Sequence, residues 1–322
     1  MSEGFEGAPP TAATLVTGAG GCIGAWTIRQ LVGEGVPVVA VDLKREVGRL
    51  ALLINEEEIE QVTWAIADVT DLPALKRILE EHSIGSVIHL AALQAPFCRA
   101  NPPLGAEVNV VGTVNLLEAS AELGEEIGPF VYASSVAAAD GDRGGHPATI
   151  YGVYKRACEG VADVYLRDRQ IASIGLRPHT VYGPGRDQGV TSAPTVAMLA
   201  AATGARFEIP FTGRLTMQYA PDVAAAFVAA SRANGYSGAG VFDLPGDTVD
   251  VSAVIEAIAA AAPGAEITAA GPPLVFPPDV DPSPDAPFAQ ALAPTPLGDG
   301  VSDAIARLRE LHARGLVTPP TA

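Results

Sequence analysis

Tyr151 and Lys155 stand at the start of a stretch whose pattern predicts a helix over 151–169. Positions i and i+4 share one helical face, so a phenol and an ammonium can occupy one site. A free phenol is a poor base at neutral pH, and a positive neighbour favours its phenolate form, which suits it to proton transfer. Ser134 and Ser135 close the preceding apolar run, Phe130 to Ser135, on the same edge of the fold. A serine hydroxyl there can hydrogen-bond the substrate oxygen whose proton the tyrosine takes.

The second chemical motif is Thr17-Gly18-Ala19-Gly20-Gly21-Cys22-Ile23-Gly24, which follows the apolar run Ala13 to Val16 and precedes a helix-like segment, Ala25 to Val32. Gly18 permits a tight turn, Gly21 lets backbone N–H groups approach a pyrophosphate, and Gly24 lets the helix pack close to the strand. The ligand class is a dinucleotide. Asp42, closing the run Val36 to Val41, is placed to accept hydrogen bonds from the adenosine ribose hydroxyls and to repel a 2′-phosphate, which favours NAD over NADP; Lys44 and Arg45 beside it would soften that preference. With oxidised NAD bound, the positive nicotinamide ring joins Lys155 in favouring the phenolate, and Lys155 can hold the nicotinamide ribose. Asp68-Val69 and His89-Leu90-Ala91-Ala92 end two further predicted strands, 62–67 and 86–92, and in a parallel sheet such ends converge on one crevice. Ala91 and Ala92 leave room for a ribose. His89 reads as a core or strand-end residue rather than a base.

These groups must be positioned by regular elements. Up to about residue 180 strands and helices alternate: a helix from Asp71 with Pro73 in its first turn, a long helix from about Leu104 to Leu123 stopping near Gly124, then the 130–135 strand, the 151–169 helix and a strand over 172–176. Such alternation implies right-handed crossovers and an α/β, doubly wound parallel sheet of Rossmann type. Beyond Tyr182 the elements shorten: a strand over 206–210, a helix over 222–230, a proline-dense segment over 271–296 and an amphipathic stretch carrying Val301, Ile305, Leu308 and Leu311. The Pro-rich segment reads equally as a disordered linker or an ordered extended wrap. Residues 11–182 form the NAD-binding unit, joined by a strand and helix from about 215–246, and 183–322 form mostly a smaller C-terminal substrate-binding cap.

A chain of 322 residues, 48% hydrophobic, can bury a full core. A net charge of −17 excludes nucleic acid and an anionic membrane surface as partners. The apolar runs are strand-sized, residues 1–10 have no basic leader, Cys22, Cys98 and Cys158 offer no disulfide framework, and no Cys or His cluster has metal-ligand spacing, so a cytoplasmic protein without a metal is expected.

Taken together, Thr17 to Gly24, Asp42, Asp68-Val69, His89 to Ala92, Asn109-Val110-x-Gly112-Thr113-x-Asn115, Tyr132 to Ser135, Tyr151-Gly152-x-x-Lys155, Arg177-Pro178-x-x-Val181-Tyr182-Gly183-Pro184-Gly185 and the closing Pro296-Leu297 resemble the extended short-chain dehydrogenase/reductase superfamily, in its NAD-dependent epimerase/dehydratase group. The resemblance runs from about 13 to 315. It implies Tyr151 as acid/base, Lys155 as its partner and ribose clamp, and Ser135, last in its short run, as the oxyanion-side donor. NAD contacts would come from Gly18, Gly21, Cys22, Ile23 and Gly24, from Asp42, Asp68 and Val69, from Leu90, Ala91 and Ala92, and from Tyr151, Lys155 and Pro178. Asn109 is counted with these cofactor contacts and would also support the active-site region. The helices near 104–123 and 151–169 correspond to the pair through which such enzymes dimerise, so a homodimer is implied.

Departures from the family pattern narrow the reaction. Val136 and Ala137 replace the Asp-Glu pair of nucleotide-sugar 4,6-dehydratases, so water elimination of that kind is not expected. Thr180 and Leu215 stand where nucleotide-sugar enzymes usually keep an Asn and an Arg for the diphosphate, and the loop before Tyr151 is short. Substrate contacts are then expected from Ser134, Gln94, His179, Arg186 and Arg214, with Gln188, Thr191 and Ser192 nearby; the two arginines suit a small acidic substrate. The leading expectation is an NAD-dependent oxidoreductase acting on a hydroxyl or carbonyl of a sugar or sugar acid. The alternatives are a nucleotide-sugar epimerase that retains NADH and a non-catalytic dinucleotide-sensing regulator.

Overall fold

The computed structural model describes residues 12–122, 127–140 and 145–320. The first half lays down β1 (Ala13–Thr17), α1 (Cys22–Gly33), β2 (Val38–Asp42), α2 (Glu56–Ile59), β3 (Thr63–Ile66), α3 (Leu72–Glu81), β4 (Ile84–His89), α4 (Ala95–Ala100), α5 (Pro102–Ala106), α6 (Gly112–Ala121), β5 (Phe130–Ala133), α7 (Ile150–Arg169) and β6 (Ser173–Arg177). The second half adds β7 (Thr180–Tyr182), α8 (Ala193–Thr203), β8 (Phe207–Ile209), β9 (Arg214–Tyr219), α9 (Ala220–Ser231), β10 (Ala239–Asp243), β11 (Asp247–Asp250), α10 (Val251–Ala261), β12 (Ile267–Ala269) and α11 (Leu297–Ala313).

Seven parallel strands in the order β10-β6-β5-β4-β1-β2-β3 make the main sheet. Alternate residues of each strand feed opposite faces, which is why the strand sequences are apolar throughout. Val16, Ala40, Ile88 and Val131 pack under α1 and α9 with Trp26, Ile28, Leu31, Val223 and Phe227. Leu15, Val39, Val41 and Val87 pack on the other face, under Leu75 and Leu79 of α3, Leu116 and Leu117 of α6 and Cys158 and Ala162 of α7. The chain runs outward from β1 to β3 and returns to pair β4 on the other side of β1, so the order reverses between β1 and β4. A crevice opens there, at the carboxyl ends of the strands.

A separate core gathers Met198, Phe211, Leu215, Met217, Val254, Ile258, Ile305 and Leu308 from α8, the β8–β9 connection, β9, α10 and α11. It is framed by a three-stranded sheet, β11-β9-β7, and a two-stranded one, β12-β8.

Two elements differ from the sequence reading. The helix expected from Leu104 begins at Pro102 and is interrupted by a π turn over Glu107–Val111 before continuing as α6; the widened turn carries Asn109 into the interior, and a single hydrophobic period does not reveal it. Its expected end at Leu123 and Gly124 lies outside the described residues, as do residues 1–11. The strand expected over 86–92 is Ile84–His89, with 90–92 leaving the sheet. Of the two options for the Pro-rich segment, the structure takes the ordered wrap: Thr212 Oγ1 donates to Gly271 O at 2.8 Å, Thr216 Oγ1 to Pro278 O at 3.0 Å, and Arg214 pairs with Asp279 at 2.9 Å.

Candidate active site

Gly18 sits at φ +65, and a Cβ there would lie 2.6 Å from the Ala91 amide nitrogen. A Cβ on Gly24 would lie 2.4 Å from Gly18 O. Both gaps can be filled by hydrogen alone, so the turn lies flat against the end of β4 and the first turn of α1 rests on it. No side chain caps α1 at Gly21. Its first N–H groups, with the positive end of the helix dipole, are left for an anion. At the end of β2, Asp42 accepts from Gly20 N at 2.9 Å and Leu43 N at 2.8 Å, which fixes the carboxylate at the mouth of the same turn. Lys44 and Arg45 are taken up by Glu46 at 2.8 Å and Glu60 at 2.6 Å. This donor set fits a dinucleotide: backbone N–H groups for a pyrophosphate and a carboxylate for a ribose diol.

The second group of residues is brought in by β5 and α7. Thr149 caps α7, its hydroxyl accepting from Gly152 N at 3.0 Å, which starts the helix so that Tyr151 and Lys155 face the crevice. Buried Lys155 donates from Nζ to Ala133 O at 2.7 Å and lies 5.8 Å from the Tyr151 ring centroid. Ser135 stands two residues past the end of β5, its Oγ accepting from Ala137 N at 3.1 Å. Ser134 donates to Glu159, which Arg177 grips through Nε and Nη2, both at 2.7 Å. Both serines line the crevice, but their hydroxyls separate: Ser135 Oγ takes only the Ala137 N–H, whereas the Ser134 hydroxyl is engaged by a structural ion-pair network.

His89 is buried, with Nδ1 2.7 Å from Thr17 Oγ1 and Nε2 3.1 Å from Thr113 Oγ1. Burial pushes its pKa down to about 3, so it is a neutral cross-link between β1, β4 and α6. Asn109 donates from Nδ2 to Leu93 O at 3.1 Å and Gly105 O at 3.0 Å; it is wholly buried and does not line the crevice. This corrects its expected place among the cofactor contacts: Asn109 is a brace behind the site.

The crevice is a cavity of about 1110 Å³ that joins the glycine turn, Asp42, Asp68-Val69, Leu90 to Ala92, Ser135, Tyr151, Lys155 and Pro178. Cys22 and Ile23 line it as well, and burial pushes the Cys22 thiol up to about 11. On the cap side it is walled by Gln94, His179, Arg186, Gln188, Thr191, Phe211 and the strap Pro272 to Phe276. His179 Nε2 lies 2.9 Å from Pro277 O and its ring meets Phe276 edge-on; burial holds its pKa down at about 4. It latches the strap to β7. Arg214 is a correction to the sequence reading: it sits exposed on the outside of β9, held by Asp279, and does not reach the cavity. Ser192 is not on the wall either, its hydroxyl donating to Gly189 O at 2.7 Å. Sequence reasoning missed Arg49, which donates to Gly20 O at 2.8 Å and pairs with Asp187 at 2.7 Å, and also Arg99 and the strap. Arg49 lies in an unpatterned connection and the strap about ninety residues beyond Pro178, so only the tertiary fold brings them in.

The pattern of the NAD dependent epimerase/dehydratase family matches residues 14–241. The chain belongs to that family. It is an NAD-dependent enzyme of the short-chain dehydrogenase/reductase type. A UDP-glucose 4-epimerase of Mycolicibacterium smegmatis is 34% identical over 244 residues, covering 70% of this chain and 74% of the relative. UDP-glucuronate 4-epimerase 2 of Arabidopsis thaliana is 33% identical over 189 residues, covering 53% of this chain and 42% of that protein. Among solved structures, the UDP-glucose 4-epimerase of Thermotoga maritima, crystallised with UDP-glucose, superposes with a TM-score of 0.79 at 22% identity, covering 93% of this chain and 99% of that one.

Proposed function

We propose that the chain interconverts a hydroxyl and a carbonyl on a small polyhydroxylated substrate, a sugar or sugar acid. The observation that carries this reading is the convergence of Ser135, Tyr151 and Lys155 on the cavity that also holds the glycine turn and Asp42. Gly18, Gly21 and Gly24 with the α1 N-terminus would hold the pyrophosphate of NAD, Asp42 the adenosine ribose, Lys155 the nicotinamide ribose, and Pro178 the nicotinamide. When bound, NAD supplies the acceptor for the hydride leaving the substrate carbon. Tyr151 takes the hydroxyl proton, Lys155 stabilises the phenolate that accepts it, and Ser135 holds the oxygen. Ala133 O keeps the Lys155 ammonium beside the phenol, while the wall of Phe211 and the strap limits water access.

A nucleotide-sugar epimerase is the second reading, favoured by the name of the M. smegmatis relative. Against it, Thr180 is buried with its hydroxyl 3.1 Å from His179 Nδ1, and Leu215 is buried in the cap core, so neither position offers a diphosphate a donor. The purified protein, assayed for retained cofactor and against free and nucleotide-linked sugars, separates the two. Exchangeable NAD with net NADH formation supports the oxidoreductase; tightly held cofactor with isomer interconversion and no net NADH supports the epimerase. The proton-transfer set speaks against a non-catalytic sensor.

Val153 and Val164 share one face of α7 and are both exposed, as is Val111 on the neighbouring π turn. This apolar face supports a homodimer through α6 and α7, which sedimentation will test. Among the described residues no helix is long and apolar enough to cross a membrane; a cytoplasmic location, with no nucleic-acid partner, is the companion reading.

A further inference from the structure

The two ends of the cavity differ in how their charges are paired. Beneath the glycine turn it is lined by Asp42, Glu46 and Asp68 together with Lys44 and Arg49, of which Lys44 pairs with Glu46 and Arg49 with Asp187. The end beneath the cap is lined by Arg99, Lys155 and Arg186, and its one carboxylate, Asp187, is already paired with Arg49. Among the described residues neither Arg99 nor Arg186 pairs with an acid, in a chain whose net charge is −17.

Arg186 is the more constrained of the two. The loop that carries it turns back through Gly183, Gly185 and Gly189, all at positive φ. Its Nη2 donates to Thr191 Oγ1 at 2.8 Å, and its Nε is buried without a partner. A Cβ placed on Gly189 would lie 2.6 Å from Gln94 Oε1 and 3.9 Å from Arg186 Nη2, so glycine at this positive-φ position lets the loop pass close to the Gln94 side chain. A half-buried cation aimed into a cavity without its own carboxylate loses hydration and regains it only from a ligand. Burial accordingly weakens its hold on its proton.

We infer that Arg186 is the carboxylate anchor of this site, and that the substrate is a small polyhydroxylated monocarboxylate. The inference rests on the oxidoreductase reading above and names its substrate class. A guanidinium fork matches one carboxylate bidentately. One such fork balances a single negative charge, whereas a nucleotide diphosphate brings two and finds Thr180 and Leu215 buried. Arg186 and Tyr151 line the same cavity, so a carboxylate held by the one lies in the space served by the other. In the reaction the hydroxy acid gives up a hydride from carbon to the oxidised nicotinamide and its hydroxyl proton to Tyr151; the C–O bond becomes C=O, the carboxylate is unchanged, and the products are the oxo acid and reduced cofactor. Arg99, at the exposed rim, attracts the incoming anion.

The test compares wild type, Arg186→Gln and Arg186→Lys on a series of sugar acids from glycerate to gluconate and glucuronate, on the matching neutral aldoses and alditols, and on UDP-glucose and UDP-glucuronate. Turnover is read as NADH formation, and binding of each compound to the protein–NADH complex is read separately by nicotinamide fluorescence. Wild type is expected to prefer an acid over its neutral counterpart by roughly 100-fold in kcat/KM, Arg186→Gln to lose most of that preference, and Arg186→Lys to recover only part of it, the range of a lost charge-assisted contact. Neutral polyols turned over as well as acids, or an acid preference that survives Arg186→Gln, overturns the anchor and leaves the oxidoreductase reading standing. Arg186-dependent binding of sugar acids without turnover of anything in the panel supports the anchor and sinks the oxidoreductase reading. Arg186-dependent binding confined to UDP-sugars overturns the assignment of the occupant. NAD affinity and thermal unfolding of each variant, measured alongside, identify any variant that has lost its fold.

Discussion

Gly152→Ala sets two effects of one methyl group against each other. Within a helix alanine is favoured over glycine by up to about 1 kcal/mol, and by less in the first turn, where Gly152 sits. Here, though, the new Cβ would lie 2.0 Å from Ala137 O and 2.9 Å from both Ala137 C and Pro147 Cβ. The first of these is backbone of the turn that follows Ser135, so it cannot swing aside as a side-chain end would, and the first turn of α7 must retreat by about an ångström. Overpacking of this kind costs about 1–3 kcal/mol, so a net loss of about 1 kcal/mol is expected, with Tm lower by about 2–4 °C. Activity should suffer more. Tyr151 and Lys155 ride on the displaced turn while Ser135 stays with β5, and a misplacement of about 1 Å costs roughly 100-fold in turnover. The assay is NADH formation at saturating NAD, with the NAD Kd expected within a few-fold of wild type because the glycine turn and Asp42 are on β1 and β2. Gly160→Ala, on the same helix with nothing within 4 Å of its Cβ, is the control and should raise stability by about 1 kcal/mol at unchanged turnover. Wild-type turnover and Tm in Gly152→Ala would show that α7 does not bear on the Ser135 turn, and the argument for a jointly positioned set would be lost.

Further outcomes are expected. Asp42→Ala should erode a preference for NAD over NADP, measured by titration of both; tighter NADP binding by the unaltered chain would mean that Glu46 and Glu60 do not neutralise Lys44 and Arg45. Glu159→Ala strands Arg177, 20% exposed at its side chain, and should cost about 3 kcal/mol in chemical denaturation; a loss under about 1 kcal/mol would reduce that pair to a surface bridge. His179 has a folded pKa held down at about 4 against 6.5 for the free group, so the folded chain binds this proton less readily than the unfolded one. Its contribution is therefore intact above about pH 6.5 and lost as pH falls toward 4. Thermal unfolding across that window should fall less steeply for His179→Asn than for wild type, and equal slopes would contradict the burial argument.

The doubly wound sheet was legible because each strand carries its own local signature: uninterrupted apolar residues ending in a turn, with helical periods between. The same locality made the glycine turn and the Tyr151–Lys155 spacing readable, since both motifs are contained within eight residues or fewer. What sequence spacing does not carry is the direction of a side chain at a strand end. Ser134 and Ser135 are adjacent and both line the cavity, yet the Ser134 hydroxyl is claimed by Glu159 whereas Ser135 Oγ takes only the Ala137 N–H. Arg186 and Arg214 look alike as loop cations, but Asp279 holds one on the surface, while no acid among the described residues meets the other. Those partners come from segments dozens of residues away, and the π turn that buries Asn109 is set by packing rather than by periodicity.

The central claim, that Tyr151 moves the proton in an NAD-dependent oxidation at this site, is tested most directly by Tyr151→Phe at matched NAD occupancy. The account predicts unchanged folding, a near-normal NAD Kd, and NADH formation slower by about two to four orders of magnitude, the weight of a positioned acid/base. A variant that binds NAD normally and keeps most of its turnover would contradict it.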